Sequence, residues 1–342
     1  MSAALLKNGP ALSLDRFDLG DWPTPIERMA AGDRGHARLW CKREDRAGGL
    51  YGGNKVRKLE WLLPAARARG GLLSLGAIGS NYLLACALYG ERHGVPVDGV
   101  VIPQPATPHV QENARLLASK ARLWPARGEL AVVGAALRAA WTVRRERGRW
   151  PLTVWAGGSD ALGTVGWVAG GLEIGEQVAA GAMPAPDDLV CALGSGGMVA
   201  GLLVGLRWAG LRTRVHAIRV ADRPFANRTV ALWLGRRTAA LLRRHGGDAP
   251  NPDPAQLVVH HEWFGPGYGH PNDAGQAAVA CAKESLALHL DPTYTGKAFA
   301  GALALMERGV VGPDVLFINS LSSHRPQQAA PPLPPGLAAL LL

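Results

Sequence analysis

The sequence predicts an α/β fold with largely parallel sheets covered by helices. Short apolar runs recur along the chain, each is trailed by a glycine-rich or polar turn, and helix-length segments separate them. In such folds ligands gather where the carboxyl ends of strands lead into helices, so those loops are the expected home of any site.

Residues 39–42 read as a strand ahead of a glycine loop and a helix over 56–69. Residues 72–76 precede a loop and a helix from Asn81; residues 97–103 precede a helix over 110–119. Further strands are expected at 153–156, 189–193, 215–220 and 315–318, with a helix over 199–208. The tail, 331–342, is proline-rich and then apolar, a packed or loose terminus.

With 342 residues, 48% of them hydrophobic and 19% charged, the chain has a globular composition and length for one large or two moderate domains. Residues 1–10 hold one lysine and no cleavage-like pattern, so no secretory leader is expected. Cys41, Cys86, Cys191 and Cys281 lie far apart without C-x-x-C spacing. Neither a metal site nor a disulfide framework follows, and a reduced, cytoplasmic setting is the plain expectation.

Residues 189–206 run without a charge for a length near that of a membrane span, but Gly194, Ser195, Gly196 and Gly197 interrupt them. Strand, turn and helix fit better, and no membrane partner is expected. The formal charge of +10 comes from dispersed arginines with no accompanying nucleic-acid motif. A solvated basic surface is favoured over nucleic-acid binding; its field would attract anionic substrates or a phosphorylated cofactor.

Four constellations carry chemistry. In the first, Gly52, Gly53 and Asn54 lead into Lys55 and Lys58, which share a helical face. A neighbouring ammonium lowers the pKa of Lys55, as a Schiff-base lysine requires, although taken alone the motif reads slightly better as an ordinary basic helix start. In the second, Gly194, Ser195, Gly196, Gly197 and Met198 join a strand to a helix and offer backbone N–H groups to phosphate, a weak signal by itself. The third, 76–81, ends in Ser80 and Asn81, which suit a helix cap or a carboxylate site. The fourth joins the loop 265–272, carrying Tyr268, to 290–297, carrying Tyr294 and Thr295. A loop tyrosine is structural or, with a perturbed phenol, an acid–base group.

The ordered patterns G-G-N-K-x-R-K-L-E, G-A-I-x-S-N, G-G-S-x-A-L-G, G-S-G-G, F-x-P-G-Y-G-x-P-N and L-D-P-x-Y-T-G-K-A resemble the family of D-cysteine desulfhydrases and 1-aminocyclopropane-1-carboxylate deaminases. Together they run from 23–25 to about Ser320. The resemblance implies pyridoxal 5′-phosphate and the tryptophan-synthase-β-like fold, fold type II, with two open, mostly parallel sheets covered by helices. It implies a large cofactor domain, 1–62 with 166–342, a smaller mobile domain, 63–165, and a homodimer. By position, Lys55 matches the cofactor lysine, with Asn54 beside it, Lys58 a phosphate contact, and Gly194, Ser195, Gly196, Gly197 and Met198 the phosphate cup. Ser80 and Asn81, with Tyr82, match the loop that meets the substrate carboxylate and cofactor ring; Tyr268 and Tyr294 match catalytic tyrosines. Ser320 falls where relatives set a group against the pyridine nitrogen, and a hydroxyl there suits elimination better than transamination.

Thr295 follows the desulfhydrase pattern where ring-opening deaminases have glutamate. The implied reaction is β-elimination from a small amino acid to a 2-oxo acid and ammonia. Cyclopropane deamination, a diverged biosynthetic activity and a non-catalytic relative are the alternatives. Four departures bear on them. Gly79 and Leu84 stand where relatives have glutamine and arginine, Met198 stands for threonine, and Leu321 and Ser322 replace a glycine turn.

Overall fold

The computed structural model describes residues 13–322, 324 and 330–342, and the reading of 1–10 lies outside them. In chain order the elements are β1 (Ile26–Arg28), β2 (Arg38–Lys42), α1 (Val56–Arg67), β3 (Leu72–Ala77), α2 (Asn81–Arg92), β4 (Val97–Ile102), α3 (Pro108–Lys120), β5 (Arg122–Pro125), α4 (Glu129–Arg147) and β6 (Leu152–Val154). Then follow α5 (Ala161–Ala179), β7 (Asp188–Leu193), α6 (Gly197–Trp208), β8 (Arg214–Arg219), α7 (Arg228–Arg244), β9 (Leu257–His260), α8 (Asp273–Leu286), α9 (Thr295–Glu307), β10 (Asp314–Ile318) and the short α10 (Pro335–Ala338).

Two sheets result. The larger has the order β1-β2-β10-β7-β8-β9, parallel except for β1 at its edge. The smaller, β5-β4-β3-β6, is wholly parallel. Every residue of β7 is buried, as a central parallel strand requires. Val190 and Ala192 pack with Phe299 and Phe317 on one face, whereas Leu189, Cys191 and Leu193 pack with Val199, Leu202 and Leu206 on the other. The larger sheet therefore has helices on both sides.

Seven expected strands appear, each end within two residues of its expected position. β1, β5 and β9 were not expected: they are edge strands of three or four residues, too short to print an alternating pattern. Residues 189–206 form β7, a glycine turn and α6; among the described residues no helix is long and apolar enough to cross a membrane. The tail is packed: the Leu342 N–H donates to the Gln104 carbonyl at 3.0 Å, and Leu340 is buried.

A buried ionic network fixes α1. Arg57 donates to both oxygens of Glu44 at 2.7 and 2.8 Å, and its Nη2 donates to Glu173 at 2.8 Å. Lys42 Nζ reaches the same Glu173 oxygen at 2.5 Å and Gln177 at 2.7 Å. Two cations thus balance two carboxylates, and the helix presenting Lys55 and Lys58 is held between them.

Candidate active site

Lys55 caps the N-terminus of α1 without a side-chain hydrogen bond to the helix. Burial pushes its ammonium down to about 8, against the opposing pull of Asp291. One helical turn on, Lys58 is buried, and its Nζ donates to the Gly157 carbonyl at 2.7 Å and to Ser159 Oγ at 2.9 Å. Burial and then the nearby Lys55 charge drive Lys58 well below the usual lysine range.

Ser159 is the hub of a small polar cluster. Its Oγ lies 2.7 Å from Ser195 Oγ and accepts from the Gly197 N–H at 3.2 Å. Gly196, at φ 83°, makes the left-handed step into α6, whose N-terminus carries no side-chain cap. A Cβ at Gly197 would lie 2.6 Å from Ser159 Oγ and 2.8 Å from Lys58 Nζ, so a side chain there would displace both donors. Two hydroxyls, the Lys58 amino group and the backbone N–H groups at the start of α6 make a donor set that fits a phosphate group. Met198 is buried beneath it, and its Sδ accepts from Asn54 Nδ2 at 3.9 Å.

Backbone contacts bring in the last strand. The Asn54 N–H donates to the Ser320 carbonyl at 3.1 Å, and the Gly52 N–H donates to Ser322 Oγ at 2.8 Å. Ser322, one of the departures, therefore ties the glycine loop to the turn after β10.

On the smaller sheet, Ser80 Oγ accepts from the Leu83 N–H at 3.3 Å and caps α2. Asn81 Oδ1 accepts from Tyr51 Oη at 2.9 Å and Asn113 Nδ2 at 2.8 Å, with His109 Nε2 at 3.2 Å. That fixes the amide's orientation. Tyr82 is buried, its ring against Gly158. A side chain at Gly79 would meet Val110 of α3 at 2.8 Å, which explains the missing glutamine. Gln104 supplies an amide instead, accepting from the Gly79 N–H at 3.2 Å. Leu84 and Leu321 line one small cavity with Tyr51, His109 and Asn113.

Tyr268 and Tyr294 share a hydrogen bond between their hydroxyls, with rings 6.1 Å apart at 69°. Burial raises both phenols, that of Tyr294 well above its ordinary value. Asp291 organises this corner: its carboxylate accepts from the N–H groups of Thr293, Tyr294 and Thr295 at 2.9, 2.6 and 3.1 Å. The Thr295 hydroxyl donates to Asp291 at 2.8 Å and accepts the Asp291 N–H at 2.8 Å. Thr295 is buried and its hydroxyl is engaged by Asp291, whose carboxylate serves the start of α9. Lys297 Nζ donates to the Phe264 carbonyl at 2.6 Å and Asn272 Nδ2 to the Trp263 carbonyl at 2.8 Å, pinning the loop that carries Tyr268.

Among the expected site residues, Asn54 bonds to Ser320 and Met198 directly, Lys58 is linked to Ser195 and Gly197 through Ser159, and Tyr268 pairs with Tyr294. Ser159, Asp291 and Lys297 were quoted in the sequence motifs without a role. Tyr51, His109, Asn113 and Gln104 lay outside every motif.

The chain is similar to known proteins. The family model described as pyridoxal-phosphate-dependent enzyme matches residues 17–320. The nocardicin C-9′ epimerase of Nocardia uniformis subsp. tsuyamanensis is 33% identical over 95% of this chain and 98% of that protein. A D-cysteine desulfhydrase of Klebsiella pneumoniae subsp. pneumoniae is 32% identical over 84% of this chain and 87% of that protein. The crystal structure of an ACC deaminase homologue superimposes with a TM-score of 0.77 at 28% identity, covering 93% of each chain. By family model, relatives and fold, the chain belongs to the pyridoxal-phosphate-dependent enzymes, in the fold type II architecture that its motifs imply.

Proposed function

We propose that this enzyme removes a β-substituent from a small amino acid, releasing a 2-oxo acid and ammonia. The observation that carries the reading is the hydrogen-bonded pair of phenols, Tyr268 and Tyr294, set on the Asp291 turn, in a chain whose Lys55 ammonium burial pushes down to about 8. A lysine of that pKa is a base near neutral pH, and a phenol kept protonated by burial is a proton donor.

Bound pyridoxal phosphate supplies an electron-poor ring that draws charge from the substrate's α-carbon. Lys58, Ser159, Ser195 and the backbone of 194–197 would hold the cofactor's phosphate, and Ser320 would supply the hydroxyl that suits elimination better than transamination. Ser80 and the start of α2 receive the substrate carboxylate, with the Asn81 amide oriented by Tyr51, His109 and Asn113. Lys55 Nζ takes the α-proton. Tyr294 Oη, kept protonated by burial, gives its proton to the departing group, and Tyr268 Oη replenishes it. Residues 63–165, which hold all four strands of the smaller sheet, form the domain that closes on the substrate. Three buried cysteines and a fourth, none in a disulfide, fit a cytoplasmic enzyme.

A second reading, inversion at the α-carbon, has the likeness to the nocardicin epimerase behind it. Both readings begin with the same proton removal and part at the leaving group. Assay of 2-oxo acid and ammonia across D- and L-β-substituted amino acids, with 1-aminocyclopropane-1-carboxylate included, separates them. Elimination is expected to lead. Preferred turnover of the cyclopropane, or inversion without 2-oxo acid, overturns the proposal.

A further inference from the structure

The carboxyl end of β8 carries a group of cations that includes none of the residues assigned to the cofactor or the substrate. Arg219, the last residue of the strand, is 8% exposed; its Nε donates to His261 Nδ1 at 2.9 Å and its Nη1 to the Ala221 carbonyl at 3.1 Å. Its guanidinium carbon lies 3.9 Å from the centre of the Phe264 ring, and Lys297 Nζ lies 5.6 Å from the same centre. Lys297 is fully buried. Arginine and lysine are rarely buried to this degree unless a carboxylate pairs with them. Among the described residues, however, Arg219, Arg223 and Lys297 make no ion pair. The carboxylates whose charge reaches this group are engaged elsewhere or exposed: Asp291 with the N–H groups of residues 293–295, Glu262 with the His261 N–H, and Asp222 in solvent. Burial and then Arg223 lower the Arg219 guanidinium from its ordinary value, against the pull of Asp222.

We propose that Arg219, Arg223 and His261 form a binding site for an oxyanion, a carboxylate, sulfate or phosphate group, with Lys297 adding charge from the core. A guanidinium presents paired, planar donors to such a group. Because His261 Nδ1 accepts from Arg219, a neutral His261 carries its proton on Nε2, which makes the exposed ring a further donor. Burial, Arg219 and Arg223 all lower the pKa of that ring and favour its neutral form, and Glu262 opposes them. The place suits a ligand as well. β8 is a parallel strand whose carboxyl end lies beside the glycine turn: the Val220 N–H donates to the Leu193 carbonyl at 3.0 Å. A Cβ at Gly194 would stand 4.0 Å from both Val220 and Tyr294, so the strand end adjoins the phenol. Two sources share this chemistry. An acid group at the far end of a substrate's β-substituent is one, and it rests on the proposed elimination; a free anion is the other, and it does not.

Titration of the holoprotein with sulfate at constant ionic strength tests the site with the cofactor's own phosphate already in place. The His261 Cε1–H resonance, assigned by its loss in His261→Asn, is expected to shift and saturate. Arg219→Gln should weaken sulfate binding by roughly tenfold or more, and Arg219→Lys by less, as loss of a charged hydrogen-bond donor requires. Arg223→Gln changes only an exposed side chain and should weaken binding severalfold with cofactor absorbance unchanged; Arg236→Gln, also exposed, on α7, should not weaken it. Substrate kinetics then separate the sources. For a substrate-borne acid, Arg219→Gln raises KM for S-carboxymethylcysteine but not for S-methylcysteine, and sulfate competes with the former. For a free anion, sulfate binds and neither KM changes. A His261 signal that never saturates with sulfate, or Arg219→Gln and Arg223→Gln variants that bind it like wild type, would overturn the proposal, whatever the elimination assay returns.

Discussion

Lys58 Nζ lies 2.9 Å from Ser159 Oγ, although 101 residues separate the two in sequence. The contact joins α1 to the loop after β6 and places an ammonium and a hydroxyl at the start of α6. Ser159→Ala is expected to weaken pyridoxal phosphate binding by about ten- to a hundredfold, the size of one hydrogen bond to a charged acceptor. Titration of apo-protein by absorbance measures it; unchanged affinity would remove Ser159 from the phosphate site.

The lowered pKa of Lys55 makes a pH prediction. Its neutral, nucleophilic form grows as pH rises through about 8, so the rate at which apo-protein combines with pyridoxal phosphate should climb through the same range. Asp291 holds the ammonium up, so Asp291→Asn should move the midpoint to lower pH. A midpoint near 10.5, the ordinary lysine value, would contradict this environment.

Tyr294→Phe keeps the ring and removes the proton. A positioned acid typically contributes ~10²–10⁴-fold, so kcat should fall by that order while cofactor affinity and KM change little. Tyr268→Phe, acting through Tyr294, should cost less. Pre-steady-state rates separate the chemical step from binding, and a Tyr294→Phe enzyme as fast as wild type would exclude the phenol.

Glu173 anchors the network beneath α1. Burial works against its carboxylate, but Arg57 and Lys42 outweigh burial and hold it down to about 2. The stability this contributes is present above about pH 4.5 and is lost as pH falls toward 2. Glu173→Gln leaves two buried cations with one carboxylate and should cost about 3–5 kcal/mol in denaturant unfolding, flattening the acid limb. A wild-type acid limb in the variant would place the sensitivity elsewhere.

The sequence made Lys55, the glycine turn at 194–197 and the pair of loop tyrosines visible because each sits in a local pattern whose chemistry is explicit. Neighbours distant along the chain were not visible. Ser159 faces the phosphate turn because β6 is an edge strand whose following loop folds back onto α6. Gln104, 25 residues downstream, accepts from the Gly79 N–H, and Gly79 packs on Val110 too closely for a side chain. Thr295 read as a substrate contact because its residue type differs from ring-opening relatives; its bonds to Asp291 are a property of the turn, not of the type.

Lys55 is the residue proposed to carry the cofactor. Borohydride reduction of the holoprotein, proteolysis and mass spectrometry locate the pyridoxyl group directly. The account predicts one modified residue, Lys55, and loss of the modification in Lys55→Ala. A pyridoxyl group on Lys58, or an adduct persisting in Lys55→Ala, would contradict it.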